Sequence, residues 1–267
     1  MQQTMNNRQK ITIRIAASTL SFSIAEDEGQ TVHFEPFVVK SGVSMAANLR
    51  EAFKTADLLQ LPPTRALVAV DSDVLMLPVE QFDENTIETL YRHAFPHTEQ
   101  DTVLYNVLPD LNAVAAFAVN KDLKLVVDDH FRDVRFSVLM APVWRHLHQR
   151  SFTGTRSKLY AYCHEQKLEV FSFHKNRFKF CNTFQTDKTP DMLYFLLYVW
   201  NQLQLNPKND ELHIVGDIPD EENLMAELKK FLQNAYLINP AADFNSHPVT
   251  EIKHMPYDLM TLYVKGR

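Results

Sequence analysis

The stretch from Lys158 to Ile218 constrains the fold most, because it sets three strand patterns, one apolar helix and one buried strand in a fixed order. KLYAYCHEQKLEVFSFHKNRFKFCNTFQ alternates apolar and polar side chains, with breaks at His164-Glu165-Gln166 and near His174-Lys175. A period of two with breaks of that kind predicts three strands joined as hairpins. TDKTPDMLYFLLYVWNQLQL follows, with Thr189 as the expected N-cap and Pro190 as the first helical residue. This helix starts apolar on nearly every side, as a helix covered on two faces does. LHIVG (212–216) is a continuous apolar run ending in Gly216-Asp217, the pattern of a strand buried on both faces.

The same order recurs more faintly near the N-terminus. ITIRIAA (11–17), LSFSIAE (20–26) and VHFEPFVV (32–39) alternate. A helix capped by Ser41 or Ser44 runs to about Leu59, with Met45, Leu49, Phe53 and Ala56 on its apolar face. ALVAV (66–70) is then a second buried strand. Leu20 precedes Leu168 by 148 residues, Leu49 precedes Leu193 by 144, and Val68 precedes Ile214 by 146. A nearly constant offset predicts an internal structural repeat.

Between the two copies, VLMLP (74–78) is expected to extend or pair beside the buried strand. Asp83 caps a helix with Ile87, Leu90, Tyr91 and Ala94 toward the core, and Pro109-Asp110-Leu111-Asn112 turns a hairpin between 102–108 and 113–119. A helix over 121–133, a strand over 135–140 and a short helix from Pro142 to His148 complete the first copy. The polar run 150–157 reads as a link. The expected division is a disordered tail over 1–9, a first lobe over 10–149, and a second over 158–267 that ends in a helix opened by Pro256.

The chain has 267 residues, 45% of them hydrophobic, enough for two such lobes. A net charge of -6 supplies no global basic field for nucleic acid or anionic lipid. The polar start lacks a signal-peptide core, and no apolar run reaches the ~18 residues of a span. A soluble, cytoplasmic protein is expected. Cys163 and Cys181 stand in strand patterns without any CxxC pair, so buried free thiols are expected.

Five segments carry a resemblance. They are RIAASTLSFSI (14–24), AVAAFAVNKDL (113–123), the run 158–203, LHIVGDI (212–218) and PYDLMTLY (256–263). In these the chain resembles the DUF3822 family of Bacteroidetes proteins. The order of elements over about residues 10–265 resembles the actin-like ATPase superfamily. The resemblance implies duplicated ribonuclease H-like lobes, each a mixed five-stranded sheet with flanking helices, around a nucleotide cleft. It also implies two phosphate hairpins, each with an Asp that holds Mg²⁺ through water, a following Gly, and Ser or Thr donors. An adenosine loop with paired glycines is implied as well.

The residues depart from that pattern at all three places. Arg14, Ala16 and Ala17 stand where Asp and Gly are wanted, and Ser18 and Thr19 alone could donate. His164, Glu165 and Gln166 form the second tip, and Gly216 stands alone before Asp217. The whole chain has five glycines, whereas phosphate loops use glycine for close backbone approach. These departures predict a non-catalytic actin-like scaffold, a pseudo-ATPase with no cofactor and a protein partner. Ala16, Ala17, Ser18, Thr19, Asp71, Asp73, His164, Glu165, Gln166, Gly216 and Asp217 are expected to line its cleft. Two alternatives stay open: an ATPase or kinase with atypical phosphate contacts, and a nucleic-acid-associated protein using the 174–184 face.

Other candidates read as ordinary structure. Asp71 and Asp73 could bind Mg²⁺ or serve acid–base chemistry, but a turn with Asx bonding accounts for them. A ribonuclease H-type nuclease would want a first-strand carboxylate that ITIRIAA lacks. His93 and His97 are separated by Pro96, which breaks a helix, and His146 and His148 point to different helix faces at i,i+2. Asp128-Asp129-His130 reads as a polar helix face. In HKNRFKFCNTF (174–184), alternation puts Lys175, Arg177 and Lys179 on one face and Phe178 and Phe180 on the other. That is an amphipathic strand whose lysines suit a sheet edge.

Overall fold

In the computed structural model the described residues are 10–26, 31–60 and 65–264. The expected tail over 1–9 lies outside them. The chain runs β1 (Lys10–Ile15), β2 (Leu20–Glu26), β3 (Thr31–Phe37), α1 (Met45–Thr55), α2 (Asp57–Gln60), β4 (Arg65–Val70), β5 (Val74–Pro78), α3 (Ile87–Ala94), β6 (Asp101–Leu108), β7 (Ala113–Asn120), α4 (Lys121–His130), β8 (Asp133–Val138) and α5 (Ala141–Ser151). It continues with β9 (Lys158–His164), β10 (Lys167–His174), β11 (Arg177–Gln185), α6 (Thr189–Gln202), β12 (Glu211–Gly216), α7 (Glu221–Leu228), β13 (Ala235–Leu237), α8 (Pro240–Asp243) and α9 (Tyr257–Tyr263).

Two five-stranded sheets have the same topology. One is ordered β3-β2-β1-β4-β8, the other β11-β10-β9-β12-β13. In each, the first three strands are antiparallel neighbours and the fourth and fifth join in parallel. The register repeats as well. Ile13 opposes Val68 and Ala161 opposes Ile214, while Ile15 opposes Leu20 and Cys163 opposes Leu168. Asp71 N–H donates to Ile15 O at 2.8 Å, and Asp217 N–H donates to Cys163 O at 2.8 Å. The duplication is therefore a repeat of backbone bonds as well as of sequence pattern.

The chain forms two compact units. The first takes the described parts of residues 1–108, 114–141 and 247–265; the second takes 109–113 and 142–246. This differs from the expected division at 150–157. α5 follows β8 in the chain yet belongs, from Pro142 on, to the second unit, and α9 follows the second sheet yet belongs to the first.

In the first unit, α1 and α4 meet through Phe53, whose ring stacks on His130 at 3.8 Å and meets Phe131 edge-on at 5.8 Å. Ser44 caps α1, accepting from Ala47 N–H at 3.2 Å. β5 does not extend β4. It joins β7 and β6 in a separate three-stranded sheet ordered β5-β7-β6. Asn106 of β6 ties this sheet to the edge strand β8, donating to Phe136 O at 3.1 Å and accepting from Val138 N–H at 2.8 Å. Only part of the expected α3 face is covered: Ile87 and Tyr91 are buried, but Leu90 is 44% exposed and Ala94 is exposed.

In the second unit, α6 and α7 pack on the face of Leu159, Ala161, Cys163, Leu168 and Val170 through Met192, Leu196, Val199, Leu224 and Leu228. Lys188 occupies the N-cap of α6 with no side-chain bond, and Thr189 is a buried residue of the first turn, so the expected Thr189 cap is corrected. α5 covers the opposite face, where Trp144 meets Phe178 at 5.6 Å and His148 meets Phe173 at 5.0 Å. Residues 241–254 include the end of α8 and a 3-10 turn over Pro248–Glu251. Among the described residues no helix is long and apolar enough to cross a membrane.

Candidate functional site

The root of the first hairpin is an ion pair. β1 points Ile11, Ile13 and Ile15 to one face and Thr12 and Arg14 to the other, and all five are buried. Arg14 Nε donates to Asp258 Oδ1 at 2.9 Å and Nη2 to Asp258 Oδ2 at 3.0 Å, with both side chains at most 4% exposed. This is the two-pronged geometry that makes an Arg–carboxylate pair strong. Arg14 Nη1 also donates to Thr19 Oγ1 at 2.7 Å. Beside it, Ser23 and Tyr263 share a hydrogen bond of 2.7 Å. Burial pushes the Tyr263 hydroxyl above its ordinary pKa, against hydrogen bonds to Ser23 and Thr12. α9 thus covers a polar row of β1 and β2 with matching polar groups.

The hairpin tip closes as a tight turn, with Ala16 N–H donating to Thr19 O at 2.9 Å. Ala16 is buried, whereas Ala17, Ser18 and Thr19 are exposed. Asp71 is brought to this tip by its bond to Ile15 O. Asp73 is not: it is exposed and its carbonyl accepts from Tyr91 Oη at 2.9 Å. Ser72, between them, accepts from Ala118 N–H at 3.1 Å. The segment works as the joint between β4 and the three-stranded sheet.

The second hairpin is built differently. Glu165 and Gln166 form its two-residue tip at φ 44° and 64°. Both are in the left-handed region, where a type I′ hairpin usually places Asn and Gly. His164, just before the tip, is buried and stacks on Tyr162 at 4.8 Å. Its Nε2 stands 3.7 Å from Glu169 Oε1, and neither ring nitrogen has a hydrogen-bond partner among the described residues. Leaving a buried polar group unsatisfied costs about 1–3 kcal/mol. Glu169 Oε2 is held by Thr183 Oγ1 at 2.7 Å. Burial pushes the Cys163 thiol up to about 12 and, with the Glu169 charge, raises Cys181; both thiols are free.

Gly216 has a steric reason to be glycine. Its φ is 111°, and a Cβ there would lie 2.0 Å from Cys163 O. Asp217, exposed, follows at the same strand end.

The remaining candidates fall where surface and packing roles put them. His93 and His97 are exposed. His146 bonds Asp243 at 2.7 Å while His148 bonds Lys175 O at 3.0 Å, so they part company. Asp128 pairs with Lys124, and Asp129 and His130 are exposed. In β11, an edge strand, the expectation for the aromatics is corrected. A bulge sets Ser172 opposite Phe180 and Phe173 opposite Phe178, leaving Lys179 as the extra residue. Phe178 therefore packs with Trp144 on one face and Phe180 with the α6 side on the other. Arg177 and Lys179 remain exposed.

Asp258, Glu169 and Thr183 were not singled out by sequence reasoning. Their signal was a charge at an inward position: Arg14 inside ITIRIAA, and Glu169 in step with Phe171 and Phe173. A buried charge requires a partner.

The fold has solved relatives. A Bacteroides thetaiotaomicron VPI-5482 protein with an actin-like ATPase fold and unknown function is similar over 95% of this chain and 99% of its own, at 29% identity and a TM-score of 0.84. A structure of the PilM-PilN type IV pilus biogenesis complex is similar over 97% of this chain and 98% of that one, at 13% identity and a TM-score of 0.63. No curated protein matches the chain. The two mixed five-stranded sheets are those of the actin-like ATPase fold. With the model of DUF3822, a protein family of unknown function, matching residues 1–235, the chain belongs to that family.

Proposed function

We propose that this protein is a non-catalytic member of the actin-like fold, a pseudo-ATPase that acts as an interaction scaffold. The observation that carries the reading is the Arg14–Asp258 pair. It puts a cation at the hairpin root where Mg²⁺ would need a carboxylate. Asp258 already neutralises that cation, and Thr19 already bonds it, so neither is presented to a phosphate. The Glu165-Gln166 tip adds a carboxylate where an anion would sit, and Gly216 is occupied by its approach to Cys163. On the 174–184 strand, the bulge packs the two phenylalanines away on opposite faces, which removes the exposed aromatic row that stacks nucleic-acid bases.

The partner on this reading is a protein, and the cell a member of the Bacteroidetes, with the cytoplasm as its compartment. Likeness to a chain of the PilM-PilN complex supports a protein partner. A lobe edge is a suitable place for it. β13 ends its sheet and, with α7, borders a groove of about 580 Å³ lined by Glu221, Glu222, Met225, Lys229 and Tyr236. An extended peptide with a basic side chain toward Glu221 and Glu222 fits that charge.

Calorimetry of the full chain with Mg-ATP tests the non-catalytic reading. No heat of binding is expected up to millimolar nucleotide. Micromolar binding, lost on Arg14→Ala or Thr19→Ala, would overturn it.

A further inference from the structure

We propose that His164 and Glu169 form a binding site for one divalent ion of the zinc class within the second unit, without nucleotide. His164 ends β9 and Glu169 is the third residue of β10, the next strand of the same hairpin. Register opposes Glu169 to Tyr162, and Tyr162 shares a strand face with His164, so both side chains leave the sheet on the same side. Their side chains are 4% and 7% exposed. The 3.7 Å between Nε2 and Oε1 is too long for a hydrogen bond, and both ring nitrogens lack partners among the described residues. Two donors bound to one zinc-class ion at about 2.0–2.2 Å, at tetrahedral or somewhat wider angles, lie about 3.3–3.8 Å apart. The observed separation fits an ion held between them.

The support around the pair is that of a ligand set. Thr183 Oγ1 donates to Glu169 Oε2 at 2.7 Å, which leaves Oε1 directed at His164. A hydrogen bond to the far atom of a ligand is how metal sites fix orientation. The Tyr162 ring lies nearly parallel to the imidazole, 4.8 Å away, and holds its plane. Imidazole with carboxylate is a borderline donor set that favours zinc-class ions over Mg²⁺, which takes oxygen donors. Water completes the shell. The site does not depend on the scaffold reading, because its test contains no nucleotide.

The test is calorimetry of the chelator-stripped full chain with zinc chloride, and in parallel with magnesium chloride. One zinc per chain at micromolar affinity or tighter is expected, with no magnesium heat. His164→Asn should weaken zinc about 100-fold or more and Glu169→Gln about 10- to 100-fold, as losses of donors or their supports do. A His93→Ala/His97→Ala variant, which removes exposed imidazoles, should bind as the parent does. Absence of zinc binding in the parent, or unchanged binding in His164→Asn, overturns the proposal. Should either variant fail to fold by circular dichroism, parent crystals grown with zinc decide it. An anomalous peak between Nε2 and Oε1 supports the site, and its absence there overturns it.

Discussion

The inner positions of the two sheets correspond residue by residue, and they are furnished in opposite ways. Thr12 and Arg14 of β1, with Ala16 just beyond it, correspond to Tyr160, Tyr162 and His164 of β9; Ser21 and Ser23 of β2 correspond to Glu169 and Phe171 of β10. In the first unit these positions are small or cationic, and Arg14 and Ser23 meet Asp258 and Tyr263 of α9. In the second, four of the five carry rings and the fifth is Glu169, and α5 meets the same sheet at Phe178 and Phe173 through Trp144 and His148. The first face satisfies its charge with a two-pronged ion pair. The second buries an imidazole whose nitrogens have no hydrogen-bond partner among the described residues and a Tyr160 hydroxyl in the same condition, its pKa raised by burial. One backbone plan thus supports a closed polar joint in one copy and an unsatisfied polar pocket in the other. What decides between them is the helix laid over each sheet, not the strands' hydrogen bonding.

The sharpest way to break this contrast is at Asp258. Asp258→Ala removes the carboxylate from a buried guanidinium, and loss of one partner from such a pair costs about 3–5 kcal/mol. The double variant Arg14→Met/Asp258→Leu replaces the pair with apolar groups of similar volume and should recover most of that loss. Urea unfolding of the three chains checks both. Equal stability of Asp258→Ala and the parent would mean that α9 is held by its apolar contacts alone.

A smaller effect separates the two buried strands. Val70 and Gly216 oppose equivalent residues, Ile15 and Cys163, yet only Gly216 has a positive φ. Gly216→Ala would drive a Cβ into Cys163 O and strain the backbone, for a loss of about 2–4 kcal/mol in denaturant unfolding. A loss below about 0.5 kcal/mol, the ordinary range for surface substitutions, would show that the strand end yields easily and that the glycine has another reason to be there.

Strand order and register were legible because period-2 patterning and near-constant offsets are local signals. Leu20 with Leu168 and Val68 with Ile214 hold the same ladder positions in the structure. The helix match was not: Leu49 is fully buried, Leu193 only partly, and Leu196 is the leucine of α6 that is fully buried. α6 is apolar nearly all round, so its pattern does not choose a face. Nor does a terminal helix announce which sheet it covers. α9 belongs to the first unit through Asp258 and Tyr263, contacts more than 200 residues away in sequence. Of the candidate site, the departures at Arg14 and at residues 164–166 were readable position by position. Their partners were not, because a buried charge says that a partner exists without saying where.

The last comparison concerns the hairpin tips themselves. The first turns through Ala17-Ser18 with no positive φ, while the second puts Glu165 and Gln166 in the left-handed region. A side chain there carries strain that Asn and especially Gly relieve. Glu165→Asn/Gln166→Gly should therefore stabilise the chain by about 1 kcal/mol. Thermal unfolding should register it as a small rise in Tm. If zinc affinity is unchanged in that variant, the tip is only a turn and the site ends at His164. If affinity falls with stability rising, the strained conformation of the tip helps aim the imidazole, and the second hairpin maintains its strain for the sake of a ligand.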